Sequence, residues 1–273
     1  MRRSITVAVG VLLFCAVVIH LEAATIIVTN TNDSGSGSLR QALAVAHHGD
    51  RITFAVSGTI TLTGGGLVVT KNVTISGPGA NELSIDGNQA PFVFAVDAGK
   101  AATISGLTIR NGFDGIVNAG TLAVSNCVLS GNSRDGIFNS GILTVSNCVL
   151  SGNSSDGIGN DGLFSGQTAS LTVVKSNVSD NGLSGIFNSA VELGVVTTTI
   201  RSTTVSGNSL GGVVANAGPS FVNVFITDCT ISGNSAYGGI HAEGTPNLTV
   251  TNSTISGNSA NAGFPVGDSG GGI

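Results

Sequence analysis

Cys127-Val-Leu-Ser-Gly-Asn132 returns as Cys148-Val-Leu-Ser-Gly-Asn153. With substitutions it recurs as Asn177-Val-Ser-Asp-Asn181, Thr204-Val-Ser-Gly-Asn208, Cys229-Thr-Ile-Ser-Gly-Asn234 and Ser253-Thr-Ile-Ser-Gly-Asn258. Asn111, Asn132 and Asn153 stand 21 residues apart, and the later asparagines follow at steps of 28, 27, 26 and 24. A repeat of this length, built from Gly, Asn, Ser, Thr and β-branched residues, marks a solenoid. In the unit ending at Asn153, Ile137, Val145, Cys148 and Leu150 are expected to point inward. Ser146-Asn147 and Ser151-Gly-Asn153 are expected to turn corners, which predicts three short strands per coil and a triangular section. Successive coils then pair in parallel, about 4.8 Å apart, and the chain is long enough for about ten of them.

Composition fits this reading. Of 273 residues 41 are Gly and 5 are Pro, and only 9% are charged, against roughly 25% in an ordinary globular domain. A 41% apolar content argues against disorder. The net charge of −5 leaves no electrostatic footprint for nucleic acid, which is excluded as a partner.

The chain divides into two parts. Residues 1–23 read as a secretory signal peptide, with Arg2-Arg3 ahead of the apolar run Ile5 to Ile19 and small residues Ala23-Ala24 after it. The expected location is therefore secreted, or on the cell surface or outer membrane. Residues 24–273 read as one solenoid domain, with an N-terminal cap over 24–50 and regular repeats from about 104. The cap holds a helix, Ser38 to His48, with a Ser38/Gln41 capping box, an apolar stripe of Leu39, Ala42, Leu43 and Ala46, and a stop at Gly49. The last residues, Asp268-Ser-Gly-Gly-Gly-Ile273, resemble the start of another coil, so no C-terminal cap is evident and end-to-end self-association is expected there.

Apart from one residue taken up between Asn234 and Ile240, the growth of the later repeats falls in one interval. Ile116 to Val124 and Ile137 to Val145 each span 8 residues, whereas Ile158 to Val173, Ile186 to Ile200, Val213 to Ile226 and Ile240 to Val250 span 15, 14, 13 and 10. The extra residues therefore stack at one corner as a ridge that includes Phe164, Gln167, Glu192, Pro219, Phe221, Glu243 and Pro246. Ridges on one side of a repeat protein are where partners bind, and a surface glycan or protein is the expected ligand.

Candidate chemistry is sparse. Asp114, Asp135 and Asp156 form a carboxylate column in Asp-Gly-Ile, read as Asp-Gly turns with calcium binding and paired catalytic acids as the alternatives. The repeat asparagines read as a buried amide ladder, with Asn118, Asn139, Asn160, Asn188 and Asn216 as a second column. Cys127, Cys148 and Cys229 share a small inward position with Ser176, Thr203 and Ser253, read as buried thiols rather than a disulfide or a metal site. His47 and His48 are placed at the helix end, His241 in an asparagine column, and Arg110, Arg134, Lys175 and Arg201 as scattered cations. No catalytic, cofactor-binding or metal-binding residue is assigned, and no cofactor is expected.

The opening Val28-Thr-Asn-Thr-Asn-Asp-Ser-Gly-Ser-Gly-Ser-Leu-Arg-Gln-Ala-Leu43 and Gly49-Asp-Arg-Ile-Thr-Phe54 resemble the N-terminal cap of bacterial adhesin-like β-helix proteins. The Ser-Gly-Asn-Ser and Asp-Gly-Ile or Gly-Gly-Ile elements resemble the coils of secreted right-handed parallel β-helix proteins of the pectin-lyase-like type. Polymorphic outer-membrane proteins share the Gly-Gly-Ile element, but their F-x-x-N element is missing. The resemblance implies an all-β, right-handed parallel β-helix with a non-catalytic structural or adhesive role. Its alternative is a polysaccharide lyase or glycoside hydrolase, which in this fold carries clustered Asp and basic residues on one sheet. No such cluster is matched by motif here, and carbohydrate platforms are short of aromatics, with no Trp and one Tyr, Tyr237.

Overall fold

The computed structural model describes residues 23–162, 168–191, 193–218 and 220–260. All but the last residue of the segment expected to be a signal peptide (residues 1–22), the ridge residues Phe164, Gln167, Glu192 and Pro219, and the C-terminal Asp268–Ile273 lie outside the described residues.

Each coil visits three parallel sheets in turn, here named A, B and C. One coil runs Ile142–Ser146 in sheet A, Val149–Ser151 in sheet B and Ile158–Gly162 in sheet C. The sheets hold 10, 9 and 8 strands respectively, every inter-strand pairing in them is parallel, and pairing begins at Thr25–Val28 with Arg51–Phe54. The strands are short because the corners are sharp. Asn147 (φ 52°) turns sheet A into sheet B, and Gly152 (φ 65°) turns sheet B toward sheet C. Both conformations suit Asn and Gly, which is why those residues recur there.

Register places like above like. Ile116, Ile137, Ile158, Ile186, Val213 and Ile240 stack inside sheet C. Leu129, Leu150, Val178, Val205 and Ile231 stack inside sheet B, and Val124, Val145, Val173, Ile200 and Ile226 inside sheet A. All of them are buried, and each contributes roughly 1.5–3 kcal/mol of transfer free energy.

Polar ladders run through this apolar interior, one of them the second asparagine column, in which Asn118 donates to Asn139 Oδ1, Asn139 to Asn160 Oδ1 and Asn160 to Asn188 Oδ1. Asn132 donates both its backbone N–H (3.3 Å) and its side-chain amide (2.9 Å) to Asn153 Oδ1. Asn153, Asn181, Asn208 and Asn234 repeat the pattern toward Asn181, Asn208, Asn234 and Asn258. From Asn153 onward, the side-chain amide also donates back to the preceding coil, as Asn153 does to Leu129 O at 3.3 Å. At the neighbouring corner, Cys127 N–H donates to Cys148 Sγ, Cys148 N–H to Ser176 Oγ and Ser176 N–H to Thr203 Oγ1. Each of these side chains donates to the carbonyl two residues earlier, such as Ser146 O for Cys148 and Val174 O for Ser176. The position needs a short side chain that both donates and accepts, so Cys, Ser and Thr interchange. Cys127, Cys148 and Cys229 are buried free thiols.

Several assignments made from spacing shift by one residue. Asn111 (φ 56°) aligns with Gly131, and Gly112 N–H takes the ladder place by donating to Asn132 Oδ1 at 3.0 Å. The coil ending there is one residue shorter than the asparagine spacing implies. The second column runs Asn118, Asn139, Asn160, Asn188 and then Ala215, while Asn216 faces out and donates to Glu243 Oε2. His241 pairs beside Val214, one place away from that column, and stacks on Tyr237 with ring centroids 4.3 Å apart.

The cap helix is Leu39–Val45, shorter than expected, with Ser38 Oγ accepting the Gln41 N–H and Ala46 rather than Gly49 ending it. Gln41 Oε1 accepts from Gly37 N–H. Leu39, Ala42 and Ala46 are buried against the first coil. The histidines therefore lie past the helix: His48 Nδ1 accepts the Asn72 N–H, and His47 N–H donates to Asp50.

Replacing Asn153 by Ala strands the Asn132 donors and Leu129 O in a dry interior. Urea titration is expected to show a loss of about 3 kcal/mol. Asn223→Ala, half-exposed on sheet A, is expected to change stability by no more than about 0.5 kcal/mol. Equal effects from the two substitutions would contradict the ladder's structural role.

Candidate functional site

The corner between sheets C and A carries the extra residues of the later coils, as the spacing predicts. Part of the excess lengthens strands rather than forming loops. The sheet A strands Thr168–Val174, Val195–Arg201 and Phe221–Thr227 have 7 residues each, against 5 in Thr121–Ser125 and Ile142–Ser146. Leu193 and Phe221 stand exposed on this ridge (67% and 63%), with Glu243 and Pro246 farther along.

Charged groups converge on the outer face of sheet C. Alternation sends Ile137 and Asn139 inward and Phe138 outward, so Val117, Phe138, Gly159, Phe187, Val214 and His241 form one outward row. Gly159 sits between two phenyl-bearing positions, a gap one strand wide in the outward row that we call the notch, and Gly159 itself is buried beneath its neighbours. Phe138 and Phe187 are two strand spacings apart, about 9.6 Å between backbones. A side chain at Gly159 would meet Asp135 Oδ2 at 3.3 Å and Phe138 Cδ2 at 3.6 Å, so a carboxylate and a ring edge border the notch. Asp161 and Ser189 pair side by side on the other flank.

The three aspartates are a ladder of their own. Asp114 Oδ1 accepts the Asp135 N–H (3.3 Å), Asp135 Oδ1 the Asp156 N–H (3.1 Å), and Asp156 Oδ1 the Ser184 N–H (2.7 Å). Ser184 is fully buried, and its hydroxyl lies beside the Asp156 carboxyl without the geometry of a hydrogen bond. Arg134, which spacing places among scattered cations, closes over the first two carboxylates. Its Nε and Nη2 hold Asp114 at 2.8 and 2.6 Å, and Nε reaches Asp135 Oδ2 at 3.3 Å. The guanidinium carbon lies 5.2 Å from the Phe113 ring and 4.9 Å from the Phe138 ring, within cation–π range.

Burial dominates the electrostatics. It raises the carboxyls of Asp114 and Asp135 even against the attraction of Arg134, and it raises Asp161 as well. Asp156 is pushed up to about 7, by burial first and then by the neighbouring Asp135 and Asp161, with the Ser184 N–H opposing. Asp156 is therefore a largely neutral acid in mildly acid solution. No group of three or more His, Cys, Asp or Glu side chains able to hold a metal is found among the described residues. Two signals in the sequence bear on the site: the glycine that interrupts an outward aromatic row, and an Arg immediately before the second Asp.

A carboxyl whose folded pKa lies above its unfolded value stabilises the fold below the unfolded pKa, and that contribution is lost as pH rises through the folded pKa. Stability is thus expected to fall between about pH 4 and pH 7 as Asp156 ionises. In Asp156→Asn the pH dependence should flatten, with greater stability than the parent above neutrality. Urea midpoints across this pH range check it, and an unchanged slope in the variant would refute the assignment.

The sequence model of a right-handed beta helix region matches residues 161–272. No curated protein sequence matches the chain. Among solved structures, ORF18 of Geobacillus virus E2 superposes with a TM-score of 0.58 at 9% identity, covering 84% of this chain and 59% of that one. The chain thus spans less than two thirds of the viral protein's length. An alginate lyase from Paenibacillus sp. str. FPU-7 superposes at 0.53 and 15% identity, over 87% of this chain and 97% of that one. The PL6 family alginate lyase AlyGC, in a mutant form, gives 0.52 and 13%, over 88% and 40%. At these identities the likeness is one of fold: the chain is an all-β parallel solenoid similar to right-handed β-helix proteins.

Proposed function

We propose that this protein is a secreted or surface-displayed β-helix with a non-catalytic, adhesive role, and that it binds a glycan on the outer face of sheet C. The observation that carries the reading is the notch at Gly159. Phe138 and Phe187 flank the notch and offer faces to the C–H side of a sugar ring, and the Asp135 carboxylate at its border, with Asp161 on the same strand as Gly159, offers acceptors to its hydroxyls. The exposed corner ridge is the second contact surface, for an extended glycan or a protein ligand.

Catalysis is disfavoured by what surrounds the notch. Arg134 is engaged by two carboxylates and donates to both, so it is not available as a base. His241 lies three strands along from Gly159 and is stacked on Tyr237. One observation favours the alternative, a glycoside hydrolase: Asp156 can hold a proton at neutral pH beside other carboxyls, as a general acid must. Incubation with a glycan panel and a reducing-end assay separates the two. Cleavage that Asp156→Asn abolishes would replace the adhesive reading.

On a glycan array, the purified protein is expected to bind a defined subset of oligosaccharides. Phe138→Ala and Phe187→Ala should each weaken that binding by about 1 kcal/mol, roughly fivefold. Phe225→Ala, on the outer face of sheet A, should leave it unchanged. Binding indifferent to both notch phenylalanines would sink the proposal.

A further inference from the structure

Sheet A begins with an edge strand, Thr25–Val28, which pairs on one side only, with Arg51–Phe54. Ahead of it, the backbone nitrogen of Ala24 lies 2.8 Å from Asp50 Oδ1, and Ala24 O accepts the Arg51 N–H at 2.8 Å. Asp50 stands in the turn between the cap helix and the first coil, and its side chain is only 4% exposed. Its second oxygen accepts the His47 N–H at 2.8 Å. These two N–H groups, His47 first and then Ala24, hold the carboxyl below its usual range, so it is charged at neutral pH. A covered carboxylate ordinarily has a cation of its own. No Lys or Arg forms an ion pair with Asp50 among the described residues, and the His47 imidazole, with Nδ1 3.7 Å away, is 71% exposed.

We propose that Asp50 is the receptor for the chain's own α-ammonium group, created when the leader is removed between Ala23 and Ala24; this rests on the secreted reading above. Hydrolysis of that amide by a leader peptidase places the oxygen of one water molecule on the Ala23 carbonyl carbon, which departs as a carboxylate. The Ala24 nitrogen takes up the protons and becomes an ammonium. It already stands at the distance of a charge-assisted hydrogen bond from Asp50, so the neutral contact becomes an ion pair without rearrangement. Both Ala23 and Ala24 are exposed, which leaves the bond open to a peptidase. Cleavage after Ala24 would instead delete the donor to Asp50 and the acceptor for the Arg51 N–H. Processing thus fastens the edge strand to the turn below the cap helix, at the end where an unpaired strand frays.

The test uses the whole chain, residues 1–273, expressed in an exporting bacterial host. N-terminal sequencing of the exported protein is expected to read Ala-Thr-Ile-Ile, starting at Ala24. Acylation of its α-amine is then followed across pH. The charged or titratable neighbours are Asp50, His47, His48 and Arg51. The adjacent carboxylate favours the charged amine, so the midpoint is expected at least about one unit above the ordinary α-amino value of roughly 7.7–8.0. Acylation at neutral pH should accordingly be about tenfold slower than in the same protein unfolded in urea. Asp50→Asn should return the midpoint to the ordinary value, whereas His47→Ala, which keeps the backbone donor, should leave it raised. An exported protein that begins at any residue other than Ala24 overturns the proposal and leaves secretion standing. So does an ordinary midpoint in the folded protein, or a raised one that persists in a folded Asp50→Asn protein. A chain that stays in the cell with its leader attached overturns both readings.

Discussion

A side-chain amide sealed inside an apolar tube must satisfy two donors and one carbonyl oxygen without water. Asn153 does this only because Asn132 lies one coil below and Asn181 one coil above, each within about 3 Å. That requirement holds the coils at strand spacing along a second line, independent of the backbone ladders. It also explains why the asparagine survives while coil length drifts. Insertions are accepted at the corner between sheets C and A, where nothing has to meet its counterpart so closely. The Cys/Ser/Thr corner works the same way with weaker donors and acceptors.

Stacking at strand spacing serves amides and aliphatics well and carboxylates badly. Amides are self-complementary, and isoleucine columns bury area without charge. Three aspartates in line repel, and each loses hydration as its neighbours cover it. Backbone N–H groups offset part of this, and Arg134 neutralises the first pair. The column ends at Ser184, where the charge stops. What remains is a carboxylate-rich strip beside two phenyl rings, and its chemistry follows from an interaction that the stacked geometry leaves uncompensated.

The repeat phrase made most of the architecture legible, including three strands per coil, the inward residues of the unit ending at Asn153, the αL corners and the site of insertion. Its failures share a cause. Counting along the chain misplaces Asn111, Asn216 and His241 by one position, because a strand finds its neighbour through backbone hydrogen bonds and tolerates a coil one residue shorter or longer. The cap helix ends before Gly49, a strong stop in isolation. In the folded chain Ala46 already leaves the helix, and Asp50 accepts from the Ala24 and His47 N–H groups.

The candidate site was far less legible. The spacing of Asp114, Asp135 and Asp156 reveals a column, but nothing in the repeat ties Asp161, Arg134 or Phe138 to it. These residues meet because parallel stacking brings together positions about twenty residues apart, and because a glycine one coil later opens the space beside them. The amino-acid order alone determined the period, the inward and outward alternation and the residues fit for each corner, since these depend on local backbone preference and apolar pattern. Only the tertiary structure decided which outward side chains share a surface and how strongly they are desolvated, since both depend on the register and burial of neighbouring coils.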